Sequence, residues 1–220
     1  VPSTFVKNTF VKKKINKAIA LEFGSSLNSF FKIKDLKKDN NNFNVLFVGQ
    51  LSVRKGLHYL LDAFKKLKHS KKILHIVGSN TKDKDFFKKK INEINFQENI
   101  ILHGYKNKSD INKLMNFCDV MVLPSIEEGQ AIVTKEAISA GCPLIVSDNT
   151  GAKEFVEKNN CGITIPIQNS EIITDKLTYL ADNKSLLEEY SYNAIKHSRE
   201  HTWKNYLEEL DSIIDNHIKK

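Results

Sequence analysis

Short apolar runs alternate along this chain with stretches whose apolar residues recur every three or four positions. Residues 44–49 (NVLFVG) form an apolar run stopped by glycine, the pattern of a strand buried on both faces. Leu57, Leu60, Leu61, Phe64 and Leu67 follow at helical spacing, which predicts an amphipathic helix. The pairing then repeats. A strand at 73–77 ends at Gly78, a lysine-rich helix runs from Asp83 to near Asn95, and a strand at 100–103 ends at Gly104. Ser109 reads as the N-cap of a helix ending near Phe117. A strand at 120–123, a helix over about 131–140 and a strand at 144–146 come next. Gly151 opens a short helix, a strand at 162–165 stops at Pro166, and helices follow near 170–180 and 185–201.

Strands joined through single helices across such short gaps imply a parallel sheet with right-handed crossovers. The expected fold is one Rossmann-like, doubly wound α/β domain over 43–201, with extra C-terminal helices. Residues 1–42 read as a connecting segment. Its apolar residues are scattered, Gly24-Ser25-Ser26 breaks it, and Asp39-Asn40-Asn41-Asn42 closes it with turn formers. Residues 202–220 form a final helix with Trp203, Tyr206, Leu207, Leu210, Ile213 and Ile214 on one face. That face packs either on its own domain or on another one.

Composition changes this picture little. With 220 residues, 40% hydrophobic and 27% charged, the chain reads as ordinary soluble globular protein. Its longest apolar runs fall far short of the ~20 residues that span a bilayer. The start VPSTFVKNTF lacks the apolar core of a signal peptide, and an opening at Val1 without methionine suits a fragment. Cys118, Cys142 and Cys161 are odd in number and lack metal-ligand spacing, so reduced core thiols in a cytoplasmic protein are expected, with no metal site. The net charge of +8 comes almost wholly from lysine, with runs at Lys12-Lys13-Lys14 and Lys88-Lys89-Lys90. A solvated surface is the default, and peripheral contact with the inner face of an anionic membrane is the functional alternative. No aromatic stripe accompanies the lysines, so no nucleic acid is expected.

The chemistry concentrates in one block. After the strand at 120–123 come Pro124, Ser125, Glu128 and Gly129, then Glu136 within a helix, with seven residues between the two glutamates. The carboxyl edge of an open α/β sheet is where ligands bind. Free amides at a helix start accept an anion such as phosphate. Two acids beside such a helix suggest a ligand with hydroxyls and phosphate, such as a nucleotide sugar. The first loop, Gly49-Gln50-Leu51-Ser52-Val53-Arg54-Lys55-Gly56, places two cations before a helix start. That is unfavourable for the macrodipole unless an anion lies between them.

These residues carry a resemblance to the GT-B retaining glycosyltransferases of group 1 (family four), whose pattern P-S-x-x-E-G-F-G continues as E-A-x-A-x-G-x-P-V-I. Here it stands as Pro124, Ser125, Glu128, Gly129, then Glu136, Ala137, Gly141, Pro143, Leu144 and Ile145. Gln130 and Ala131 replace the usual aromatic and glycine, and Ser139 replaces an alanine. The first loop resembles G-R-L-x-x-x-K-G, with Gln50 at the arginine position and Arg54 beside Lys55. The resemblance implies the donor-binding half of a two-domain enzyme. Lys55 and Arg54 would hold the donor's diphosphate, and Glu136 the ribose hydroxyls. Glu128 would face the transferred sugar, with the amides of Gly129, Gln130, Ala131 and Ile132 around it. Gly49 and Gln50 would border the site, and the base would lie near Gly104 and Tyr105. The donor would be UDP-, GDP- or ADP-linked, without a cofactor or metal. The acceptor, a glycan or lipid-linked sugar, would sit on an N-terminal domain missing here. The alternative is a non-enzymatic nucleotide-sugar-binding module. His58, His75 and His103 lack catalytic spacing and read as packed or surface residues.

Overall fold

The computed structural model describes residues 1–13, 18–37, 41–79, 81–94 and 97–218. Helix α1 (Thr4–Lys12) comes first, capped by Ser3, whose hydroxyl accepts the Val6 amide at 3.2 Å. This helix interrupts a segment expected to be irregular. Its apolar residues are too few and scattered to signal it. Asp39, Asn40 and Lys14, singled out from the sequence, lie outside the described residues.

The sheet begins with β1 (Phe43–Val48), followed by α2 (Leu57–Lys66), β2 (Lys72–Val77), α3 (Lys84–Asn92) and β3 (Ile100–Gly104). The expected end of α3 at Asn95 lies outside the described residues. Next come α4 (Lys108–Phe117), β4 (Val120–Leu123), α5 (Ile132–Ser139), β5 (Leu144–Ser147), α6 (Lys153–Lys158) and β6 (Gly162–Ile165). Helices α7 (Ser170–Asp182), α8 (Lys184–Ser198) and α9 (Trp203–Ile218) complete the chain order. The cap of α4 is Asn107, not Ser109: its side chain accepts the Asp110 amide at 2.9 Å. Asparagine and serine both serve as caps, and the helix starts one residue before Ser109.

All six strands run parallel, in the order β3-β2-β1-β4-β5-β6. Every residue of β1, β4 and β5 is buried, which explains their predominantly apolar sequences. Each buried leucine or phenylalanine contributes roughly 1.5–3 kcal/mol relative to exposure, so these central strands anchor the domain. Strand β3 is at an edge and leaves Leu102 55% exposed. Helix α2 packs against α7 and α5 against α8. Leu57, Leu60, Leu61, Phe64 and Leu67 are buried, as their spacing predicts.

Helix α9 meets the N-terminal segment. Phe23 stacks on Trp203 at 6.0 Å and meets Tyr206 edge-on at 5.8 Å. Between α9 and residues 18–23 lies a cleft of about 440 Å³ lined by Ile19, Leu21, Phe23, Tyr206, Leu210 and Ile213 among others. The apolar face of α9 is thus partly covered by this chain. Among the described residues, no helix is long and apolar enough to cross a membrane.

His75 is packed inside the sheet, as the sequence suggests. Its Nδ1 lies 3.0 Å from His103 Nε2 and its Nε2 lies 3.3 Å from Asn44 Oδ1. Burial, with the neighbouring imidazole second, lowers its pKa to about 4. His201 is likewise lowered to about 4 by burial and then by Lys135. In the unfolded chain both take up protons below about pH 6.5; in the folded chain they do so only near pH 4. The unfolded state therefore binds more protons across that window, and stability falls as pH drops from about 6.5 towards 4. Thermal melts of His75→Gln should show a shallower decline in Tm between pH 7 and 4, with His201, His58 and His103, whose pKa values burial also lowers, contributing to the remainder. An unaltered slope would contradict this assignment.

Candidate functional site

The strand order reverses between β1 and β4, because the chain moves outward from β1 to β3 and then returns to the other side of β1. At such a reversal the neighbouring loops leave a crevice at the carboxyl edge. Here the two loops touch. The Ile126 amide donates to the Arg54 carbonyl at 2.9 Å. Gly56 has a left-handed φ of 72°, and a Cβ added there would lie 1.9 Å from the Pro124 carbonyl oxygen. Only glycine satisfies both conditions.

That contact brings the cations of the first loop to the first glutamate. Lys55 Nζ donates to Glu128 Oε2, and Arg54 Nη1 donates to the same oxygen at 3.0 Å and to the Glu127 carbonyl at 2.9 Å. The anion lying between the two cations in this structure is therefore Glu128 itself. The side chains of Lys55 and Glu128 are 15% and 13% exposed, that of Arg54 54%. An exposed pair contributes only ~0–1 kcal/mol, whereas removing one partner of a shielded pair strands a charge away from water. Lys55 is the principal partner and Arg54 the outer one.

Gln50 is exposed and borders a cleft of about 510 Å³ with Ser52, Arg54, Thr81, Lys82 and Asp83. Gly49 closes β1, its amide donating to the Val77 carbonyl at 2.9 Å. Arg54 and Gln50 thus share one cleft wall, although only Arg54 reaches Glu128.

Helix α5 begins without a side-chain cap, because its N-cap is Ala131. Among the described residues, the amides of Gly129, Gln130, Ala131 and Ile132 have no hydrogen-bond partner. Such a row of unpaired donors at a helix start suits an anion. Gly129, which the sequence suggests for a tight turn, does not take a left-handed backbone. A Cβ there would lie 3.1 Å from Val6 Cγ2, so a side chain at this position would press on α1.

Glu136 is half-buried and, among the described residues, its carboxylate makes no hydrogen bond or ion pair. Burial raises its pKa above the usual carboxylate value, opposed by Lys108. Lys108 starts α4, which places the loop after β3 on the Glu136 side of the crevice. Tyr105 in that loop is 83% exposed and open to a ligand. The two glutamates therefore differ in state: Glu128 is tied by cations, and Glu136 is open. A cavity of about 640 Å³ lies elsewhere, under the amino ends of the strands, lined by Phe43, Pro143, Leu187 and Ile195 among others. It contains none of these chemically disposed groups.

Sequence reasoning missed a set of contacts to the N-terminal segment. Ser3 Oγ donates to the Gly129 carbonyl at 2.6 Å, and the Phe23 amide donates to Gln130 Oε1 at 3.0 Å. Ser25 and Ser139 hydroxyls meet at 2.8 Å, and Lys135 Nζ bonds Glu22. Lys135 is only 1% exposed, with its Nζ 4.2 Å from the Phe155 ring centroid. Burial lowers its pKa and Glu22 opposes that shift. A lysine between Thr134 and Glu136 carries no sequence signal of burial.

The family model described as "Glycosyl transferases group 1" matches residues 28–197. An Escherichia coli UDP-Gal:alpha-D-GlcNAc-diphosphoundecaprenol alpha-1,3-galactosyltransferase is 30% identical over 159 residues, covering 70% of this chain and 40% of that protein. An uncharacterized glycosyltransferase of Methanocaldococcus jannaschii is 30% identical over 165 residues, covering 69% and 42%. Among solved structures, the Anabaena protein HepE in complex with UDP and glucose superposes with a TM-score of 0.88 at 19% identity, over 98% of this chain and 62% of that one. The chain spans about half the length of the curated relatives it matches. On the family match and the doubly wound parallel fold together, this chain belongs to the group 1 glycosyl transferases.

Proposed function

We propose that this chain is the donor-binding domain of a retaining glycosyltransferase that takes a nucleotide sugar. The observation that carries the reading is convergence. Two cations, an open carboxylate and four unpaired helix-start amides meet where the strand order reverses. The diphosphate takes the amides of Gly129 to Ile132 and the charges of Lys55 and Arg54. Glu136 accepts from the ribose hydroxyls, since one carboxylate can receive two neighbouring donors. The base lies against the loop holding Tyr105. When the diphosphate draws Lys55 and Arg54, Glu128 is released towards the sugar. As the glycosidic bond breaks, negative charge grows on the leaving diphosphate, and fixed cations and amides stabilise it most in the transition state. In this proposal no metal is required for that step.

The acceptor belongs, in this reading, to an N-terminal domain outside these 220 residues. The support is that the matched relatives are about twice as long. A lipid-linked acceptor is the class suggested by relatives such as the Escherichia coli galactosyltransferase, and the lysine-rich surface suits contact with the inner face of an anionic membrane. Gln50, uncharged where the family pattern has arginine, favours a second reading as a nucleotide-sugar-binding module without transfer. Arg54, already bonded to Glu128, argues for a transferred role instead.

Calorimetric titration of UDP, GDP and ADP and their sugar conjugates should find one preferred nucleotide, with Glu136→Ala weakening it by about tenfold or more, the scale of one charge-assisted hydrogen bond. No binding by any of them contradicts the donor reading. A further outcome follows from the ion pairs. Glu128→Ala frees two cations, so affinity for inorganic pyrophosphate at low salt should rise by about three- to tenfold, the scale of a partly shielded ion pair. Unchanged or weaker pyrophosphate binding would show that Lys55 and Arg54 do not hold the diphosphate.

A further inference from the structure

We propose that the Gln130 side chain is a positioning residue. By receiving the main-chain amide of Phe23, it fixes the Glu128–Ile132 loop and makes Ser3, Val6 and residues 22–25 part of the donor site. The inference rests on the donor-binding reading above, which assigns the loop amides to the diphosphate.

Three observations converge on it. Gln130 stands where the family pattern has an aromatic residue, and its side chain reaches the N-terminal segment, Oε1 accepting from Phe23 N at 3.0 Å. Its Nε2 is enclosed and has no hydrogen-bond partner. An amide kept at a position where half of it is unsatisfied is there for its carbonyl, because an enclosed donor without a partner is unfavourable. The neighbouring contacts point the same way. Ser3 Oγ holds the Gly129 carbonyl, Val6 packs over Gly129, and Glu22 and Ser25 engage Lys135 and Ser139 on α5.

The loop is therefore gripped from two sides. On one side the Glu128 amide donates to the Asn149 carbonyl at 3.2 Å and the Gly151 amide to the Glu128 carbonyl at 2.9 Å. On the other are Ser3 and Phe23. The four amides assigned to the diphosphate make no hydrogen bonds of their own among the described residues, so contacts on the neighbouring groups fix their direction: these flanking grips for the Glu128–Gln130 part, and Thr134, which donates through its amide and its hydroxyl to the Ala131 carbonyl, at the helix start. The substitutions Gln130 and Ser139 are thus not losses from the pattern. They are the side of the loop and helix that the N-terminal segment reads.

The test is amide hydrogen exchange on the whole chain carrying Gln130→Leu, which keeps the side chain's bulk and removes its carbonyl. The informative amides are Glu128, Thr134 and Gly151, each hydrogen-bonded at or beside the loop. They should exchange about tenfold faster or more, while Met121 and Val122 in β4 exchange as before. Affinity for the preferred nucleotide should fall in parallel. Ser3→Ala, which removes the second grip, should speed the same three amides, and the double variant should add less than the sum of the two. Unchanged exchange in Gln130→Leu, or equal acceleration of loop and β4 amides, overturns the proposal. Loop-confined acceleration supports it whether or not nucleotide binds. Absence of nucleotide binding by the unaltered chain counts against the donor reading alone.

Discussion

The close approach of Gly56 to Pro124 is the contact on which the site depends. Parallel strands deliver every β-to-α loop to one edge, but adjacency alone does not bring side chains into register. At β1 and β4 the two backbones touch, with a left-handed glycine on one side and a carbonyl on the other. The Ile126 to Arg54 hydrogen bond fixes their relative height. Only then do Arg54 and Lys55, early in the chain, and Glu128, more than seventy residues later, share one oxygen. A side chain at position 56 would drive the loops apart and separate charge from counter-charge.

The two glutamates of one motif are placed in opposite electrostatic settings by that geometry. Glu128 is at the loop contact and is neutralised by two cations. The Glu136 carboxylate, about one turn into α5, is desolvated without a partner, and its pKa rises accordingly. A carboxylate that is half-buried and unpaired is an unfavourable arrangement in an empty protein and a suitable one for neighbouring hydroxyl donors. The uncapped start of α5 has the same logic: the fold leaves donors unpaired where a ligand would satisfy them.

Much of this was legible in the sequence. Strand β4 stands at the residues its apolar run indicates, because a fully buried parallel strand reads as an unbroken hydrophobic stretch, whereas the partly buried edge strand β6 is marked by Gly162 and Pro166 at its ends. Lys55, Glu128 and Glu136 fall at one edge because strand ends, glycines and helix periodicity place them there. What the sequence did not reveal depends on contacts between distant segments. Lys135 looks like a surface lysine, yet it is buried against Glu22 and Phe155. Gln130 looks like a defect in the pattern, yet it holds a backbone amide more than one hundred residues away. Helix α1 has too weak a pattern to announce itself, and its place beside Gly129 is set by Ser3 and Val6. The mutual neutralisation of Arg54, Lys55 and Glu128 was also hidden, since spacing shows which charges reach an edge but not which of them meet.

The most direct test of the central claim, that a nucleotide sugar binds at the β1–β4 crevice, is a residue-resolved amide chemical-shift titration with the nucleotide and its sugar conjugate. The account predicts perturbations concentrated at Arg54 to Gly56 and Gly129 to Ile132, extending to Tyr105, with the sugar conjugate adding changes at Glu128. Perturbations confined to the cavity beneath the amino ends of the strands, around Phe43 and Leu187, would contradict it, as would an unperturbed spectrum at saturating nucleotide.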